Sequence, residues 1–193
     1  MSKLVIHEIS KKCEDKEIVK DISFTVEEGE VFAIVGPSGA GKTTVLRLLC
    51  GLDTLSSGSI TYQEKEISSL LPYERKFTMV FQDAALFSHL KVRENITYGL
   101  KPYGFNENQI QEALQKYASL LKIEHLLERY PASLSAGEKQ RVGIARAFIR
   151  EPEVILLDEP FSNLDVLLKE ELKKDLFAIQ KGLKQTMIIV NRN

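Results

Sequence analysis

The sequence has few residues of the kinds that build disulfide bonds and transition-metal sites. Its two cysteines, Cys13 and Cys50, lie far apart, and its three histidines, His7, His89 and His125, show no metal-ligand spacing. We therefore expect both thiols to be reduced and incidental to the fold.

Long apolar runs and an excess of one charge are also absent. The 26 basic and 27 acidic residues leave a net charge of -1, so nothing favours nucleic acid or an anionic bilayer as a partner. No apolar stretch is long enough to span a bilayer, and the first ten residues do not resemble a signal peptide. We therefore expect a protein of the cytosol, and 193 residues suit one globular domain.

The order of predicted strands and helices indicates an α/β fold. Apolar residues at helical spacing predict helices after Asn106 and from Leu168 to Ile179. Because uninterrupted apolar strands alternate with helices, we expect a parallel sheet covered on both faces. The predicted strands are Leu4–Ile9, Asp21–Val26, Val31–Val35, Ser59–Tyr62, Val154–Leu157 and Met187–Val190.

A glycine-rich segment, GPSGAGKT, follows the strand Val31–Val35 and precedes a predicted helix. Such a loop turns its backbone N–H groups inward and the helix start adds positive charge, a geometry that fits a polyphosphate. Lys42 is expected to reach the β- and γ-phosphates, and Thr43 to help coordinate Mg²⁺. A chance match in a glycine-rich turn is the alternative. The predicted nucleotide-binding residues are Gly36, Pro37, Ser38, Gly39, Ala40, Gly41, Lys42, Thr43 and Thr44.

Two acids, Asp158 and Glu159, end the apolar run Val154–Leu157. Ligands of open parallel sheets bind beyond the carboxyl ends of the strands, so both acids are expected near the phosphates. Asp158 suits a Walker B role that holds Mg²⁺ through its water shell, and Glu159 suits the catalytic residue that polarises the attacking water. The alternative is that the pair only caps the next loop.

The segment LSAGEKQRVGIARAF, Leu134 to Phe148, predicts a capped amphipathic helix. Ser135 and Glu138 form a capping box, and apolar residues recur at helical spacing after it. The Ser135 hydroxyl and the N–H groups of Ala136 and Gly137 also make this helix start a candidate anion site.

Taken together, these motifs resemble those of ABC ATPases over most of the chain, from Leu4 to Val190. LSAGE looks like the family's signature motif, Gln82 in MVFQD resembles its Q-loop, and SNLD resembles its D-loop, with Asp165 as the D-loop acid. Taken singly, Gln82 could be a solvated strand end and Asp165 a helix cap.

The resemblance implies a P-loop NTPase parallel-sheet core with an N-terminal antiparallel β subdomain and an α-helical subdomain. It places the core in residues 1–87 and 152–193 and the helical part in 88–151, with the last portion of the usual core missing. It also implies that Mg²⁺ is held by Thr43, Gln82 and Asp158. Two copies would close head to tail, with ATP between the P-loop of one copy and the signature residues of the other, Ser135, Ala136, Gly137 and Glu138.

The segment Pro72–Leu100 resembles bacterial importers for sugars, polyamines, iron or oxyanions. The resemblance implies an ATPase subunit that uses ATP and Mg²⁺ to drive solute import from the inner face of the cell membrane. Its implied partners are a second copy, permease subunits and an extracytoplasmic solute-binding protein, with no nucleic acid. Leu86–Leu90 would contribute to the groove for a permease helix, unless Leu86 and Phe87 are core residues.

Two departures from the family pattern favour retained ATP binding with impaired turnover. Cys13 stands where the family usually stacks an aromatic ring on adenine, and Arg192 stands where a histidine contacting the γ-phosphate is expected. A non-hydrolysing regulatory subunit is therefore one alternative function. A soluble ABC ATPase of translation or DNA repair is another, although the paired domains or coiled-coil insertions usual in those proteins are missing from the sequence.

Overall fold

The computed structural model describes residues 3–14, 16–162 and 164–191. Packing divides the chain into two compact units. The first contains Met1–Met79, Glu153–Glu159 and Gln180–Asn193, and the second contains Val80–Pro152 and Pro160–Ile179. The subdomain limits inferred from the sequence stay a prediction.

Eight strands and five α-helices are assigned within the described residues. The strands are β1 (Lys3–Cys13), β2 (Lys16–Glu27), β3 (Val31–Val35), β4 (Ser57–Tyr62), β5 (Lys65–Glu66), β6 (Phe77–Val80), β7 (Val154–Asp158) and β8 (Thr186–Asn191). The helices are α1 (Lys42–Cys50), α2 (Val92–Thr97), α3 (Glu107–Leu120), α4 (Ala136–Phe148) and α5 (Val166–Leu183). The mixed α/β fold expected from the sequence is confirmed.

Strands β2, β1, β4 and β5 form an antiparallel sheet in that order. The inward residues of β1, such as Leu4, Ile6 and Ile9, are almost fully buried. Both β1 and β2 are longer than predicted. Their pairing continues through register shifts, beyond the alternating apolar residues on which the prediction was based. This sheet confirms the predicted N-terminal antiparallel part.

The second sheet has the strand order β3-β8-β7-β6. Strands β3 and β7 both run parallel to β8. Strand β7 is buried throughout, as expected for an apolar strand of a covered parallel sheet, but β3 is only partly buried and its Val35 is 58% exposed. The expectation that both faces of the sheet are covered is therefore wrong for β3. This strand lies at the edge of the sheet and borders an open pocket of about 400 Å³. That pocket is lined by Ile18, Ile22, Phe24, Phe32, Ile34 and Val35.

A buried arginine anchors α1 at the end opposite to the glycine loop. The Arg75 side chain is 4% exposed and donates hydrogen bonds to the carbonyl oxygens of Leu48 (2.7 Å) and Leu49 (2.9 Å). These carbonyls belong to the last turn of α1, where a helix lacks internal donors and favours positive charge. Burial lowers the pKa of Arg75. Because arginine remains charged in proteins, its contact with the helix end persists.

In the second unit α3 buries one face, whereas α4 is buried on nearly all sides from Gln140 to Phe148. Asn106 accepts a hydrogen bond from the backbone N–H of Gln109, which confirms the predicted start of α3. The short elements β6 and α2 were not predicted, and the six residues of α2 are too few to display a helical period. Within the described parts of the chain, no helix combines the length and apolar character needed to cross a membrane.

Candidate functional site

Parallel pairing brings the glycine loop and the acid pair to one edge of the second sheet. Val35 pairs with Asn191 at the carboxyl end of β3, and Asp158 pairs with Val190 at the carboxyl end of β7. Both segments therefore leave the sheet beside the end of β8. Open α/β sheets bind ligands at this edge.

The glycine loop adopts a backbone that only glycine tolerates at its tightest point. Gly39 and Gly41 have φ angles of 81° and 83°, in the left-handed region. A Cβ atom on Gly41 would also lie 2.6 Å from the carbonyl oxygen of Ile18. Gly41 is the first boundary residue of α1, and no described side chain caps that helix start. The first N–H groups of α1 can therefore bind an anion.

Lys42 is folded back onto the loop. Its side chain is buried, at 7% exposure, and Nζ donates hydrogen bonds to the carbonyl oxygens of Gly36 (2.7 Å) and Pro37 (2.8 Å). An ammonium group has three donors, so these two bonds leave one donor for a phosphate oxygen. The positive charge is thereby fixed at the mouth of the loop.

A hydrogen bond joins the glycine loop to the acid pair. The Thr43 hydroxyl donates to Oδ1 of Asp158 over 3.0 Å. Burial raises the pKa of Asp158 and the neighbouring Glu159 raises it further, against the opposing effects of the Thr43 hydrogen bond and of Lys42. The described residues contain no cluster of three or more His, Cys, Asp or Glu side chains that could hold a metal. A cation at Thr43 and Asp158 would thus need oxygen ligands from phosphate and water, as Mg²⁺ commonly has.

Replacing Asp158 with asparagine is expected to raise the melting temperature of the ligand-free protein by a few degrees at pH 8. The raised pKa means that the folded state binds a proton at Asp158 more tightly than the unfolded state does. This contribution to stability is fully present below the unfolded pKa and is lost as pH rises through the folded pKa. The advantage of Asp158→Asn should therefore shrink as pH falls towards 4, and thermal unfolding at a series of pH values measures it. A difference that grows in acid would contradict this electrostatic account.

Glu159 is held in a backbone conformation unusual for its residue type. Its φ angle is 46°, its N–H donates to the carbonyl oxygen of Val190 over 2.9 Å, and its side chain is buried. Left-handed backbone at a residue other than glycine is commonly retained where function requires the side chain. The N–H of Glu159 therefore adds one hydrogen bond between β7 and β8 beyond the last residue of β7.

The signature segment forms the predicted capping box at the start of α4. The Ser135 hydroxyl oxygen accepts from the N–H of Glu138 over 3.3 Å, and the Ser135 N–H donates to a Glu138 carboxylate oxygen over 2.7 Å. That backbone hydrogen bond lowers the pKa of Glu138. Ser135 and Ala136 are exposed, whereas Gly137 is buried near Leu164. Because the Ser135 oxygen acts as acceptor, its hydroxyl hydrogen can still be donated to an anion.

The structure brings Gln82 and the SNLD segment together within the second unit. Gln82 Nε2 donates to Oγ of Ser162 over 3.2 Å, a contact that sequence reasoning missed. Asp165 Oδ1 accepts from the N–H of Leu168 over 3.0 Å, so its interpretation as a helix cap is confirmed.

The site residues fall into two groups. Gly36–Thr44, Asp158 and Glu159 lie in the first unit, whereas Gln82, Asp165 and the signature residues lie in the second. Cys13 is exposed at the end of β1. Arg192, expected at the position of a γ-phosphate-contacting histidine, lies outside the described residues.

The sequence and the fold are similar to those of known transport proteins. A UgpC from Brucella abortus (strain 2308), an sn-glycerol-3-phosphate import ATP-binding protein, is 40% identical over 194 residues, which are 100% of this chain and 55% of that protein. The maltose/maltodextrin import ATP-binding protein MalK of Escherichia coli (strain K12) is 40% identical over 193 residues, 100% of this chain and 52% of that protein. The chain thus spans about half the length of these curated relatives.

A solved structure, cbiO1 from Clostridium perfringens, superposes with a TM-score of 0.89 at 32% identity. The superposition covers 98% of this chain and 78% of cbiO1, which is described as part of the ABC transporter complex cbiONQ. The predicted resemblance to importer ATPases is confirmed by these relatives. The family model described as ABC transporter matches residues 19–162. From its motifs, its fold and these matches, the chain belongs to the ABC transporter family.

Proposed function

We propose that this chain binds ATP with Mg²⁺ and hydrolyses it as the energising domain of a solute importer. The observation that carries the proposal is the Thr43–Asp158 hydrogen bond of 3.0 Å at the start of α1, beside the buried Lys42. A phosphate-binding helix start, a fixed cation and a carboxylate at one strand edge are the parts that phosphoryl transfer requires.

Nucleotide binding is assigned to Gly36, Pro37, Ser38, Gly39, Ala40, Gly41, Lys42, Thr43 and Thr44. Backbone N–H groups of the loop and of the first turn of α1 would hold the phosphates, with Lys42 on the β- and γ-phosphates. The exposed Cys13 offers no aromatic face for stacking on adenine. Most of the affinity should therefore come from the phosphates.

The donor set at Thr43 and Asp158 fits Mg²⁺. Magnesium prefers oxygen ligands and is commonly held by one or two carboxylates together with substrate phosphates. We assign its ligation to Thr43, to Asp158 through water and to Gln82. When bound, the ion would neutralise charge on the β- and γ-phosphate oxygens.

Hydrolysis is assigned to Glu159 as the base that orients and polarises water. Its carboxylate follows directly on Asp158, so it leaves the sheet at the same edge as the phosphate loop. The second half of the site would come from another copy, through Ser135, Ala136, Gly137 and Glu138, with Asp165 in the adjoining loop. The helix start at Ser135 supports this assignment, because Ser135 and Ala136 are exposed in a single chain.

The partners that suit this function are a second copy, permease subunits and an extracytoplasmic solute-binding protein. The chain would act at the inner face of the cell membrane. Two import proteins among the curated relatives, for a maltose-type sugar and for glycerol phosphate, support import rather than a role in translation. We assign the nucleotide core to residues 1–87 and 152–193 and the helical subdomain to 88–151.

Mixing two inactive variants tests the proposal. Lys42→Ala removes the cation of the phosphate loop, and Ser135→Arg blocks the signature segment with a bulky cation. If each site uses the loop of one copy and the signature of the other, a mixed pair contains one intact site. Because random pairing makes half of the pairs mixed, the 1:1 mixture should recover about a quarter of native Mg²⁺-dependent ATP hydrolysis.

The matched control is the double variant Lys42→Ala/Ser135→Arg mixed with each single variant. These mixtures form no intact site and should stay inactive. Recovery in the control mixtures, or none in the test mixture while the native chain is active, would contradict sharing between copies. A native chain without Mg²⁺-dependent hydrolysis would contradict the proposed function itself.

A further inference from the structure

The loop that carries Gln82 has a strained backbone inside the second unit. Two consecutive residues, Ala84 and Ala85, have φ angles of 53° and 44°, which L-residues other than asparagine and aspartate rarely adopt. Ala84 is 3% exposed and Ala85 is exposed. A strained, partly buried loop keeps its shape only where its surroundings impose it.

Arg146 on α4 fixes both of these residues. Its Nη2 donates to the carbonyl oxygen of Ala84 over 2.6 Å, and its Nη1 donates to that of Ala85 over 2.9 Å. The guanidinium also lies 5.6 Å from the centre of the Phe87 ring. A planar fork with two parallel N–H donors matches two adjacent carbonyls in a way that a lysine ammonium does not.

Gly143, one turn before Arg146, allows the Gln82 loop to pack closely against α4. A Cβ atom on Gly143 would lie 2.9 Å from Cβ of Ala84 and 3.4 Å from its Cα, too close to fit without displacement. Residues three apart lie on the same face of a helix. Gly143 and Arg146 therefore form one seat for the Gln82 loop, and we call these two residues the α4 seat.

The same helix begins at the signature segment. Ser135 caps α4, and Gly137 packs near Leu164 and Leu168, which flank Asp165. Gln82 in turn donates to Ser162, at the other end of that short segment. Helix α4 therefore contacts both the Gln82 loop and the SNLD segment, and it begins at the signature segment.

We propose that Gly143 and Arg146 are positioning residues for Gln82: they hold its loop on the helix that presents Ser135, so that metal ligation by Gln82 depends on the placement of α4. The inference rests on the proposed function, in which Gln82 is a ligand of Mg²⁺. It gives α4 a second role beyond the signature motif, because a displacement of α4 would displace the Gln82 amide with it.

The decisive experiment measures Mn²⁺ binding, as a spectroscopic substitute for Mg²⁺, to protein saturated with a non-hydrolysable ATP analogue. Free Mn²⁺ is counted by electron paramagnetic resonance, so no turnover is needed. Gly143→Ala should weaken Mn²⁺ binding about tenfold, as changes behind a metal ligand commonly do, because the new methyl group pushes Ala84 away. Affinity for the analogue without metal should stay within about twofold of the native value, since the phosphate loop does not contain these residues.

Rescue separates positioning from general destabilisation. Ala84→Gly removes the methyl group that the new side chain of Gly143→Ala would meet, and glycine adopts the positive φ of this position without strain. The double variant Gly143→Ala/Ala84→Gly should therefore bind Mn²⁺ like the native chain. Gly182→Ala is the matched control, because a Cβ atom at this exposed helical position meets nothing within 4 Å. Arg146→Lys tests the same seat without added volume and should also weaken Mn²⁺ binding.

Unchanged Mn²⁺ affinity in a folded Gly143→Ala protein would overturn the inference, as would failure of Ala84→Gly to restore it. Should Gly143→Ala not fold, Arg146→Lys decides alone, and native-like Mn²⁺ binding by that variant would overturn the inference. A native chain that does not bind the analogue would instead contradict the proposed function, so the two failures are distinct.

Discussion

Replacing Lys42 with alanine is expected to weaken ATP binding about a hundredfold, because the variant loses the positive charge at the loop mouth and its charge-assisted hydrogen bond to phosphate, which contributes up to about 3 kcal/mol. In the native chain Nζ is already held at the loop mouth by Gly36 and Pro37, so little ordering is needed when the phosphate binds. Isothermal titration with a non-hydrolysable ATP analogue and Mg²⁺ measures the effect.

The control for Lys42→Ala is Lys65→Ala, which removes an exposed lysine from the short strand β5. Both variants lower the net charge equally, but only Lys42 contacts the loop. Lys65→Ala should therefore bind the analogue within about twofold of the native affinity, as surface changes usually do. Equal losses in the two variants would mean that overall charge, rather than the loop, determines affinity.

Replacing Glu159 with glutamine is expected to lower ATP turnover about a hundredfold to ten-thousandfold while leaving ATP binding nearly intact. Glutamine matches glutamate in volume, so the buried position should accept it, but the neutral amide cannot polarise water. The fold at this point depends on the backbone bond to Val190, which the substitution does not touch.

Two measurements separate binding from turnover in Glu159→Gln. Single-turnover assays give the rate of hydrolysis, and light scattering with ATP and Mg²⁺ gives the fraction of dimer, which should rise because closed pairs no longer hydrolyse ATP. Glu153→Gln is the control, since Glu153 is a surface acid paired with Lys76 at 3.0 Å. Native turnover in Glu159→Gln would exclude this residue as the base.

The sequence predicted the strand, the glycine turn and the helix start around the phosphate loop, because local chemistry determines them. A positive φ at Gly41 and the start of α1 were predictable from a glycine at this position, whereas its close approach to Ile18 is seen only in the structure. The capping boxes at Asn106 and Ser135 were predictable for the same reason, since residues three apart form them. That β7 and β8 are strands of a parallel sheet followed from their uninterrupted apolar runs.

Contacts between distant segments were not predictable. The bond from Gln82 to Ser162 joins residues 80 positions apart, and the clamp of Arg146 on Ala84 spans 62 positions. No period or spacing encodes such pairs. A close contact at Gly143 could have been predicted, because an isolated glycine inside a helical pattern usually has a packing reason. The exposure of Val35 was missed because an apolar run does not reveal whether its strand ends a sheet.

The left-handed backbone of Glu159 has a consequence for how this sequence can change. Holding a non-glycine residue at a φ of 46° costs about 1 kcal/mol or more, and glycine would remove that cost. Selection for heat resistance alone would therefore favour glycine over glutamate at this position, as it would favour an amide over the carboxylate at Asp158. The positive φ of Glu159 and the buried carboxylate of Asp158 both cost stability in the empty protein, so selection for stability alone should replace these two residues before the glycines of the loop.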